Sequence, residues 1–414
     1  MNRARLAVLT VFLALLSVRC ADGPLGVQEI TQLPRDLTVA EEELIQSDNA
    51  FGLKLFREIH AQGAADSNIF ISPLSVAMAL GMTYNGAAGE TQLAMQETLE
   101  LQGLTIEEVN QAYRSLIDLL RNLDPSVEFL LANSIWYREG FAVEQDFLDV
   151  NREYFDAEVT ALDFSSPSAA PTINSWVSEK TRGRIEKIVD DPIDWLVVMY
   201  LINAIYFKGD WTIQFDPELT ADWTFYLADG GQVQAPMMTY GGEVDVRSYA
   251  DAGVSALDLY YGGKAYSMTI LLPPYGGDVG SLIESLDSER WQEIVDGLST
   301  TSSDVVLPKF TLEYELEMKD VLTALGMGIA FGDAADFTKI RASGGLYISK
   351  VKHKTFVDVN EEGTEAAAVT AVEIREVSMP PTFVIDRPFI FAIREQFSGT
   401  ILFMGRIVDP TQSG

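Results

Sequence analysis

Apolar residues in the N-terminal part of the chain recur at spacings of three and four, the period of an α-helix that packs on one side. One such helix is expected to be capped by Asp48. Its inner face is Phe51, Leu55, Phe56 and Ile59. A second helix is predicted after Ser72, because a serine cap followed by Pro73 at the first helical position is a strong start signal. A third is predicted over residues 107–120.

Strand patterns dominate the second half of the chain. Residues 195–207 form an almost unbroken apolar run, which fits a central strand covered on both faces and is too short to cross a bilayer. Further runs predict strands at 254–260, 266–272, 304–311, 346–360, 382–394 and 400–408. Since helices lie mainly in the first half and strands mainly in the second, with no linker between them, we predict an α+β fold in a single domain.

The most informative pattern is a run of small residues that follows Gly363 and ends before Pro380. At the two-residue period of a strand, one face of this run carries no charge as far as Ile374. That face is Thr364, Ala366, Ala368, Thr370, Val372 and Ile374. The charges up to Arg375 lie on the opposite face, at Glu365, Glu373 and Arg375, and Glu376 is the first charge on the inward face. Such a segment can lie in a loop and can also enter a sheet as a half-buried strand.

The overall composition is that of a globular protein, with 47% hydrophobic and 22% charged residues among 414. The formal net charge is −32, and no cluster of Lys and Arg occurs at helical spacing. A surface this acidic repels nucleic acids and anionic membranes. It also argues against activation by a heparin-like polyanion.

Residues 1–20 have the form of an export signal, with a basic start and an apolar core at 6–18. Cys20 follows this core and is the only cysteine. Two interpretations stay open. One is an ordinary cleaved signal; the other is a bacterial lipoprotein signal with a lipid on Cys20, although Arg19 stands where that pattern has a small residue. Residues 21–44 are predicted to be a linker.

The body of the chain is expected to be free of disulfides although it is exported. It also has no Asn-X-Ser/Thr site for N-glycosylation. Both features favour a bacterial exported protein over an animal plasma protein. The expected location is extracellular or periplasmic, or the cell surface if the cysteine is lipidated.

Residues with catalytic chemistry are sparse. The only histidines are His60, in the first predicted helix, and His353, in a basic strand. No serine has the Gly-X-Ser-X-Gly context of a nucleophile, and no His/Cys cluster has zinc spacing. The 61 acidic residues single out no catalytic pair. The sequence therefore predicts a protein that is not an enzyme and that needs no cofactor or metal.

Seven short segments along the chain are distinctive. They are 68–75 (NIFISPLS), 85–91 (NGAAGET), 201–211 (LINAIYFKGDW), 307–310 (LPKF), 361–370 (EEGTEAAAVT), 387–389 (RPF) and 403–410 (FMGRIVDP). On these segments, in this order, residues 45–410 resemble a serpin with an inhibitory, antitrypsin-like loop. The resemblance implies N-terminal helices packed on a large central mixed β-sheet, smaller sheets, and an exposed reactive-centre loop within 361–381.

Serpins trap the proteases that attack them. The protease cleaves the loop and forms an acyl-enzyme, and the loop then inserts into the sheet before the acyl bond is hydrolysed. The resemblance implies this role here, in a monomer whose partner is a target serine protease. The implied hinge residues are Glu361, Glu362, Gly363, Thr364, Glu365, Ala366, Ala367, Ala368, Val369 and Thr370.

The resemblance also assigns residues that surround the inserting loop, in the regions called breach and shutter. They are Lys309, Trp211, Ser72, Asn203 and His353. Glu361 is expected to pair with Lys309 at the top of the sheet. Asn203 and His353 are expected to share a hydrogen bond beside Ser72, because a buried Asn needs a partner.

The usual inhibitory loop length, counted from Glu361, places the cleaved bond at Val377–Ser378. A valine there suits elastase-like or subtilisin-like proteases. Cleavage after Arg375 by a trypsin-like protease is the alternative, although it shortens the loop by two residues. Two other functions stay open: a non-inhibitory serpin with a binding or chaperone-like role, and an inhibitor of cysteine proteases that uses the same trap.

Overall fold

The computed structural model describes residues 28–364 and 382–413. The predicted export signal and residues 365–381 of the predicted loop lie outside the described residues. In the described part the helices are α1 (Val39–Gln62), α2 (Pro73–Tyr84), α3 (Gly89–Thr98), α4 (Ile106–Asn122), α5 (Gln145–Phe155), α6 (Ala169–Lys180), α7 (Val279–Ser285), α8 (Ser288–Gly297) and α9 (Lys319–Leu322).

Helix α1 begins earlier than the sequence analysis predicted. Thr38 and Glu41 form a capping box, in which each side chain accepts a hydrogen bond from the backbone N–H of the other residue. The prediction of a linker over 21–44 is therefore wrong at its C-terminal end. The prediction that Asp48 caps the helix is also wrong, because Asp48 is buried within α1 and accepts a hydrogen bond from Tyr113 of α4.

The strands are β1 (Ile69–Ile71), β2 (Val127–Arg138), β3 (Ala157–Leu162), β4 (Met199–Asp210), β5 (Ala221–Tyr226), β6 (Gln232–Thr239), β7 (Val244–Ala250), β8 (Ser255–Tyr261), β9 (Tyr266–Leu272), β10 (Ser299–Pro308), β11 (Phe310–Glu317), β12 (Lys352–Val359), β13 (Gly363–Thr364), β14 (Thr382–Val384), β15 (Phe389–Glu395) and β16 (Ile401–Ile407). Ten of them form one sheet in the order β1-β16-β15-β9-β8-β7-β10-β6-β5, with β14 paired to β10. The other sheet has six strands in the order β11-β12-β13-β4-β2-β3.

Both sheets are mixed. The pairs β2–β3 and β10–β14 are parallel, and the other pairs are antiparallel. Helix α2 lies between the two sheets, because it contacts β4 of the six-stranded sheet and β16 of the ten-stranded sheet. Almost every residue of α2 is buried as a result. The predicted α+β fold, with helices packed on a large mixed sheet, is confirmed.

Strand β4 is shorter at its start than the predicted run of 195–207. Trp195 and Leu196 lie in a turn before it and are 79% and 59% exposed. Arg138 fixes this turn by donating a hydrogen bond of 3.0 Å to the carbonyl oxygen of Trp195. The apolar run thus joins a surface turn to a strand, and hydropathy alone cannot separate the two.

Candidate functional site

Strand β13 is two residues long and lies between β12 and β4. Gly363 pairs with Asp210 of β4. Thr364 pairs with Gly209 of β4 on one side and with Val359 of β12 on the other. Both pairings are antiparallel, so β12 and β4 run in the same direction. Among the described residues no ladder joins β12 directly to β4, and the start of the predicted hinge connects the two halves of the sheet.

The position of Gly363 requires a residue without a side chain. A Cβ atom placed there would lie 2.1 Å from the carbonyl oxygen of Gly209 and 2.6 Å from the Cα of Asp210. Backbone atoms cannot move aside as the end of a flexible side chain can. Glycine is therefore what allows the chain to enter between the two strands.

Thr364 is the first residue of the uncharged face, and only 3% of it is exposed. Its hydroxyl oxygen lies 2.8 Å from the hydroxyl oxygen of Tyr261 at the end of β8. The ring of Tyr261 stacks on Trp211 with 4.4 Å between ring centroids. The indole N–H of Trp211 donates to the carbonyl oxygen of Asn360 at 2.9 Å, and its backbone N–H donates to that of Glu362 at 2.7 Å. The predicted breach tryptophan thus contacts the start of the hinge directly.

Two donors hold the carboxylate of Glu361. Lys309 Nζ lies 2.7 Å from Oε2, and the hydroxyl of Thr220 donates to Oε1 at 2.7 Å. Burial alone would raise the pKa of Glu361, but these hydrogen bonds outweigh it and hold the pKa below its usual value. The predicted contact between Glu361 and Lys309 is present. The expected effect of this contact, which is to restrain the loop, stays a prediction.

Glu362 has a less favourable environment than its neighbour. Burial raises the pKa of Glu362, and the carboxylates of Asp210 and Glu361 raise it further. Its Oε2 atom is buried and has no hydrogen-bond partner. The hinge therefore begins with one well-held carboxylate and one that the site destabilises.

A turn that the sequence analysis missed connects β12 to β13. The side-chain oxygen of Asn360 accepts hydrogen bonds from the backbone N–H groups of Glu362, at 3.0 Å, and Gly363, at 3.3 Å. An Asn followed within three residues by Gly is a readable turn signal. Thr220 and Tyr261 were also missed, and they had no local signal because they come from distant parts of the chain.

His353 of β12 contacts the start of α2. Its Nε2 accepts a hydrogen bond of 3.0 Å from the backbone N–H of Ser72. The hydroxyl of Ser72 donates to the carbonyl oxygen of Leu402 at 2.7 Å and accepts from the N–H of Ser75 at 3.2 Å. Burial lowers the pKa of His353 to about 4, so the ring is neutral at pH 7 and can act as an acceptor.

The predicted hydrogen bond between Asn203 and His353 is wrong. Asn203 instead donates to the side-chain oxygen of Asn133 at 2.8 Å, across the pair β4–β2. Its own side-chain oxygen is buried without a partner. Since β13 lies between β12 and β4, Asn203 and His353 are not on neighbouring strands. Asn133 of β2 was the missed partner, and it had no local signal because β2 and β4 come from distant parts of the chain.

These contacts do not form a nucleophile–base pair. His353 faces the backbone N–H of Ser72, and the serine hydroxyl donates to a carbonyl oxygen, so no base is placed to activate it. The other histidine, His60, faces the guanidinium group of Arg406. Within 28–364 and 382–413, no group of three or more His, Cys, Asp or Glu side chains is placed to hold a metal ion. In the same residues, every helix is too short or too polar to cross a bilayer.

Several predicted site residues lie outside the described residues. They are the hinge positions 365–370, the bond Val377–Ser378, the alternative Arg375, and Cys20. Their roles stay predictions.

The contact of His353 with Ser72 predicts a pH-dependent stability. The folded-state pKa of about 4 lies below the ordinary value of 6.5, so the unfolded chain binds the proton more readily between these values. The contribution of His353 to the free energy of unfolding is complete above pH 6.5 and falls by about 3 kcal/mol as the pH drops to 4. We expect His353→Gln, which keeps an acceptor and does not titrate, to remove this fall.

The measurement is urea unfolding of both proteins from pH 4 to 7.5, followed by tryptophan fluorescence. Burial raises the pKa of Asp48 to about 7, and its contribution has the opposite sign, but it is common to both proteins and cancels in the comparison. Parallel pH curves for the two proteins would contradict the prediction.

Comparisons with known proteins agree on one family. The model of the family Serpin (serine protease inhibitor) matches residues 46–410. Neuroserpin from Homo sapiens is 35% identical over 369 residues, which cover 86% of this chain and 90% of neuroserpin. Leukocyte elastase inhibitor from Sus scrofa is 35% identical over 380 residues, which cover 89% of this chain and 100% of that protein. The crystal structure of the thermophilic serpin tengpin in its native state matches with a TM-score of 0.81 at 32% identity, covering 92% of this chain and 97% of tengpin.

The two mammalian relatives do not support the expectation of a bacterial source. They do align with this chain over nearly their whole length, as the tengpin structure does. Together with the family model, the sheet order and the hinge, they show that the chain belongs to the serpin family of serine protease inhibitors and is not an enzyme.

Proposed function

We propose that this serpin is a suicide inhibitor of serine proteases. A target protease cleaves the bond Val377–Ser378 and stays bound as an ester of its active-site serine with the Val377 carbonyl group. The freed segment then enters the six-stranded sheet between β12 and β4 before water hydrolyses the ester. The position of β13 carries this proposal, because its two residues already occupy the entry between those strands.

The register of β13 indicates how far the cleaved loop can insert. In an antiparallel pair, each further residue of the inserting strand moves one residue back along its partner. The pairing that begins at Thr364 and Gly209 therefore reaches Met199, the first residue of β4, at Ile374. At ~1 kcal/mol net per hydrogen bond, roughly ten added residues stabilise the inserted state by on the order of 10 kcal/mol.

The uncleaved loop does not reach that state while both of its ends stay paired with the sheets. It is anchored at both ends, by β13 in the six-stranded sheet and by β14, which pairs with β10 in the ten-stranded sheet. Cleavage frees one end, and the free energy of insertion becomes available to move the bound protease. The intact protein is thus a strained form whose relaxation depends on the protease it traps.

The composition of the segment fits insertion. Thr364 points inward to Tyr261, so the alternation of a strand places Ala366 and Ala368 inward and Glu365 outward. Small inward residues meet no steric barrier, whereas large or charged inward residues would stall insertion of the loop into the sheet. This pattern favours an inhibitor over the alternative of a non-inhibitory, binding or chaperone-like serpin.

The nature of the residue before the cleaved bond suggests the class of target. A valine at position 377 suits the small apolar pockets of elastase-like or subtilisin-like proteases. The relative named leukocyte elastase inhibitor is in keeping with this choice. A trypsin-like protease that cleaves after Arg375 and a cysteine protease caught by the same trap are the alternatives.

Export directed by residues 1–20 would place the inhibitor outside the cytoplasm, where secreted proteases occur. A lipid on Cys20 would further tether it to a membrane. The mass of the mature N-terminal peptide distinguishes a lipidated Cys20 from an ordinary cleaved signal.

One prediction of this proposal concerns the product of the reaction with a protease. Incubation with an elastase-like or subtilisin-like protease should give a covalent complex that survives denaturing gel electrophoresis, and the released peptide should begin at Ser378. Val377→Arg should transfer complex formation to a trypsin-like protease, whereas Arg375→Ala should leave the original specificity unchanged. Cleavage without a complex would remove the inhibitory role, and a peptide that begins at Glu376 would move the reactive bond to Arg375.

Another prediction compares substitutions on the inward and outward faces of the hinge. Thr364→Arg should convert the inhibitor into a substrate, because an arginine cannot be buried against Tyr261 between β12 and β4. Glu365→Arg is the matched control and should still inhibit, because the alternation of a strand would place residue 365 on the opposite face after insertion. Gel analysis of complex against cleaved inhibitor measures the partition. Equal behaviour of the two variants would contradict insertion at this register.

A further inference from the structure

The turn between β12 and β13 directs its backbone oxygens towards the segment that follows β4. The carbonyl oxygen of Asn360 accepts a hydrogen bond of 2.9 Å from the indole N–H of Trp211. The carbonyl oxygen of Glu361 accepts one of 2.9 Å from the backbone N–H of Phe215. The carbonyl oxygen of Glu362 accepts one of 2.7 Å from the backbone N–H of Trp211. Three successive residues of the turn therefore bind the chain that leaves β4.

The side chain of Asn360 makes this arrangement possible. In an ordinary two-residue hairpin, the residues that flank the tip exchange both of their backbone hydrogen bonds. Here the N–H of Asn360 donates to the carbonyl oxygen of Gly363 at 3.0 Å, but the N–H of Gly363 donates at 3.3 Å to the side-chain oxygen of Asn360. The same side-chain oxygen accepts from the N–H of Glu362 at 3.0 Å. The carbonyl oxygen of Asn360 is thereby left to bind Trp211.

The residues at the tip of the turn do not favour this hairpin by themselves. Two-residue connections between antiparallel strands are most stable when one or both tip residues have a positive φ. Neither Glu361 nor Glu362 has a positive φ. The hydrogen bonds of the Asn360 side chain supply what the tip lacks. Without that side chain, the N–H groups of residues 362 and 363 would compete for the carbonyl oxygen of residue 360 and draw it away from Trp211.

We propose that Asn360 is a positioning residue for insertion of the cleaved loop. Its side chain holds the turn, and its freed carbonyl oxygen holds the indole of Trp211. The indole stacks on Tyr261, whose hydroxyl contacts Thr364, the last described residue before the loop. One side chain thus fixes both the backbone of the hinge and the rings against which the hinge lies.

This positioning affects how fast the cleaved loop enters the sheet. Trapping requires that insertion moves the bound protease before water hydrolyses the ester. A turn fixed by Asn360 gives the residues after Thr364 a set starting point between β12 and β4, so each new pair of hydrogen bonds can form next to an existing one. The inference rests on the proposed function, because it concerns the insertion that the proposed mechanism requires.

The test uses the full chain and a protease that forms the covalent complex, and it measures the association rate and the ratio of complex to cleaved inhibitor. Asn360→Ala should lower this ratio about fivefold, because a loosened turn slows insertion while hydrolysis of the ester continues. The association rate should stay the same, because cleavage of the loop precedes insertion. Asn360→Ser should lower the ratio only about twofold, because a serine hydroxyl accepts from the same N–H groups more weakly.

Asp163→Ala is the matched control. The side chain of Asp163 accepts a hydrogen bond of 3.0 Å from the backbone N–H of Ser165, in a similar turn that follows β3. Two strands, β4 and β2, separate β3 from β13, so this substitution should leave the ratio unchanged. Trp211→Phe removes the indole N–H and should lower the ratio. Combined with Asn360→Ala it should lower the ratio little further, because both residues act through one hydrogen bond.

A ratio for Asn360→Ala equal to that of the parent would overturn the proposal. An equal loss in Asp163→Ala, an equally slowed association, or fully multiplicative losses in the double variant would each overturn it as well. If Asn360→Ala does not fold, Asn360→Ser decides the question, and a ratio equal to that of the parent would then contradict the proposal. Failure of the parent to form a complex with any protease would instead remove the proposed function, and this inference with it.

Discussion

The structure depends on one constraint in the six-stranded sheet: β4 and β12 run parallel, and a chain that enters between them must be antiparallel to both. Backbone N–H and C=O groups along the facing edges of these strands need partners. The turn at Asn360 reverses the chain after β12 and directs Gly363 and Thr364 into that position. Gly363 fits only because it has no Cβ, and Thr364 is received by the hydroxyl of Tyr261. The entry of the hinge is thus built into the fold by one turn, one glycine and one hydroxyl contact.

The contacts around this entry stabilise one carboxylate and destabilise its neighbour. Glu361 is fixed by Lys309 and Thr220, whereas the neighbouring Glu362 has a raised pKa and a buried oxygen without a partner. Such a combination suits the proposed function, in which this segment stays in place until cleavage and then becomes part of a longer strand. The anchoring of β14 to the other sheet supplies the second restraint, so the two ends of the loop belong to different sheets. In the proposed mechanism, a protease that cuts between these ends removes one restraint without disturbing the other.

Local signals in the sequence predicted some elements well. The cap at Ser72 and Pro73 marks the start of α2. The contact of Glu361 with Lys309 is also present, but it was implied by the resemblance to serpins and not by a local signal. Other predictions failed where tertiary contacts decide the outcome. Asp48 has the chemistry of a cap, yet it lies inside α1, because the capping box at Thr38 starts the helix earlier and Asp48 bonds Tyr113 of α4 instead. The apolar run that begins at Trp195 continues into β4 only from Met199, because a surface turn comes first.

The amino-acid sequence by itself determined the alternation of small and charged residues after Gly363, since a strand's two-residue period needs no structure to be read. It also determined the α+β class, because helical patterns lie mainly in the first half of the chain and strand patterns mainly in the second. The tertiary structure alone decided which partners meet across the sheet. Asn203 bonds Asn133 rather than His353 because β13 separates β4 from β12, and strand order is set by contacts between distant segments.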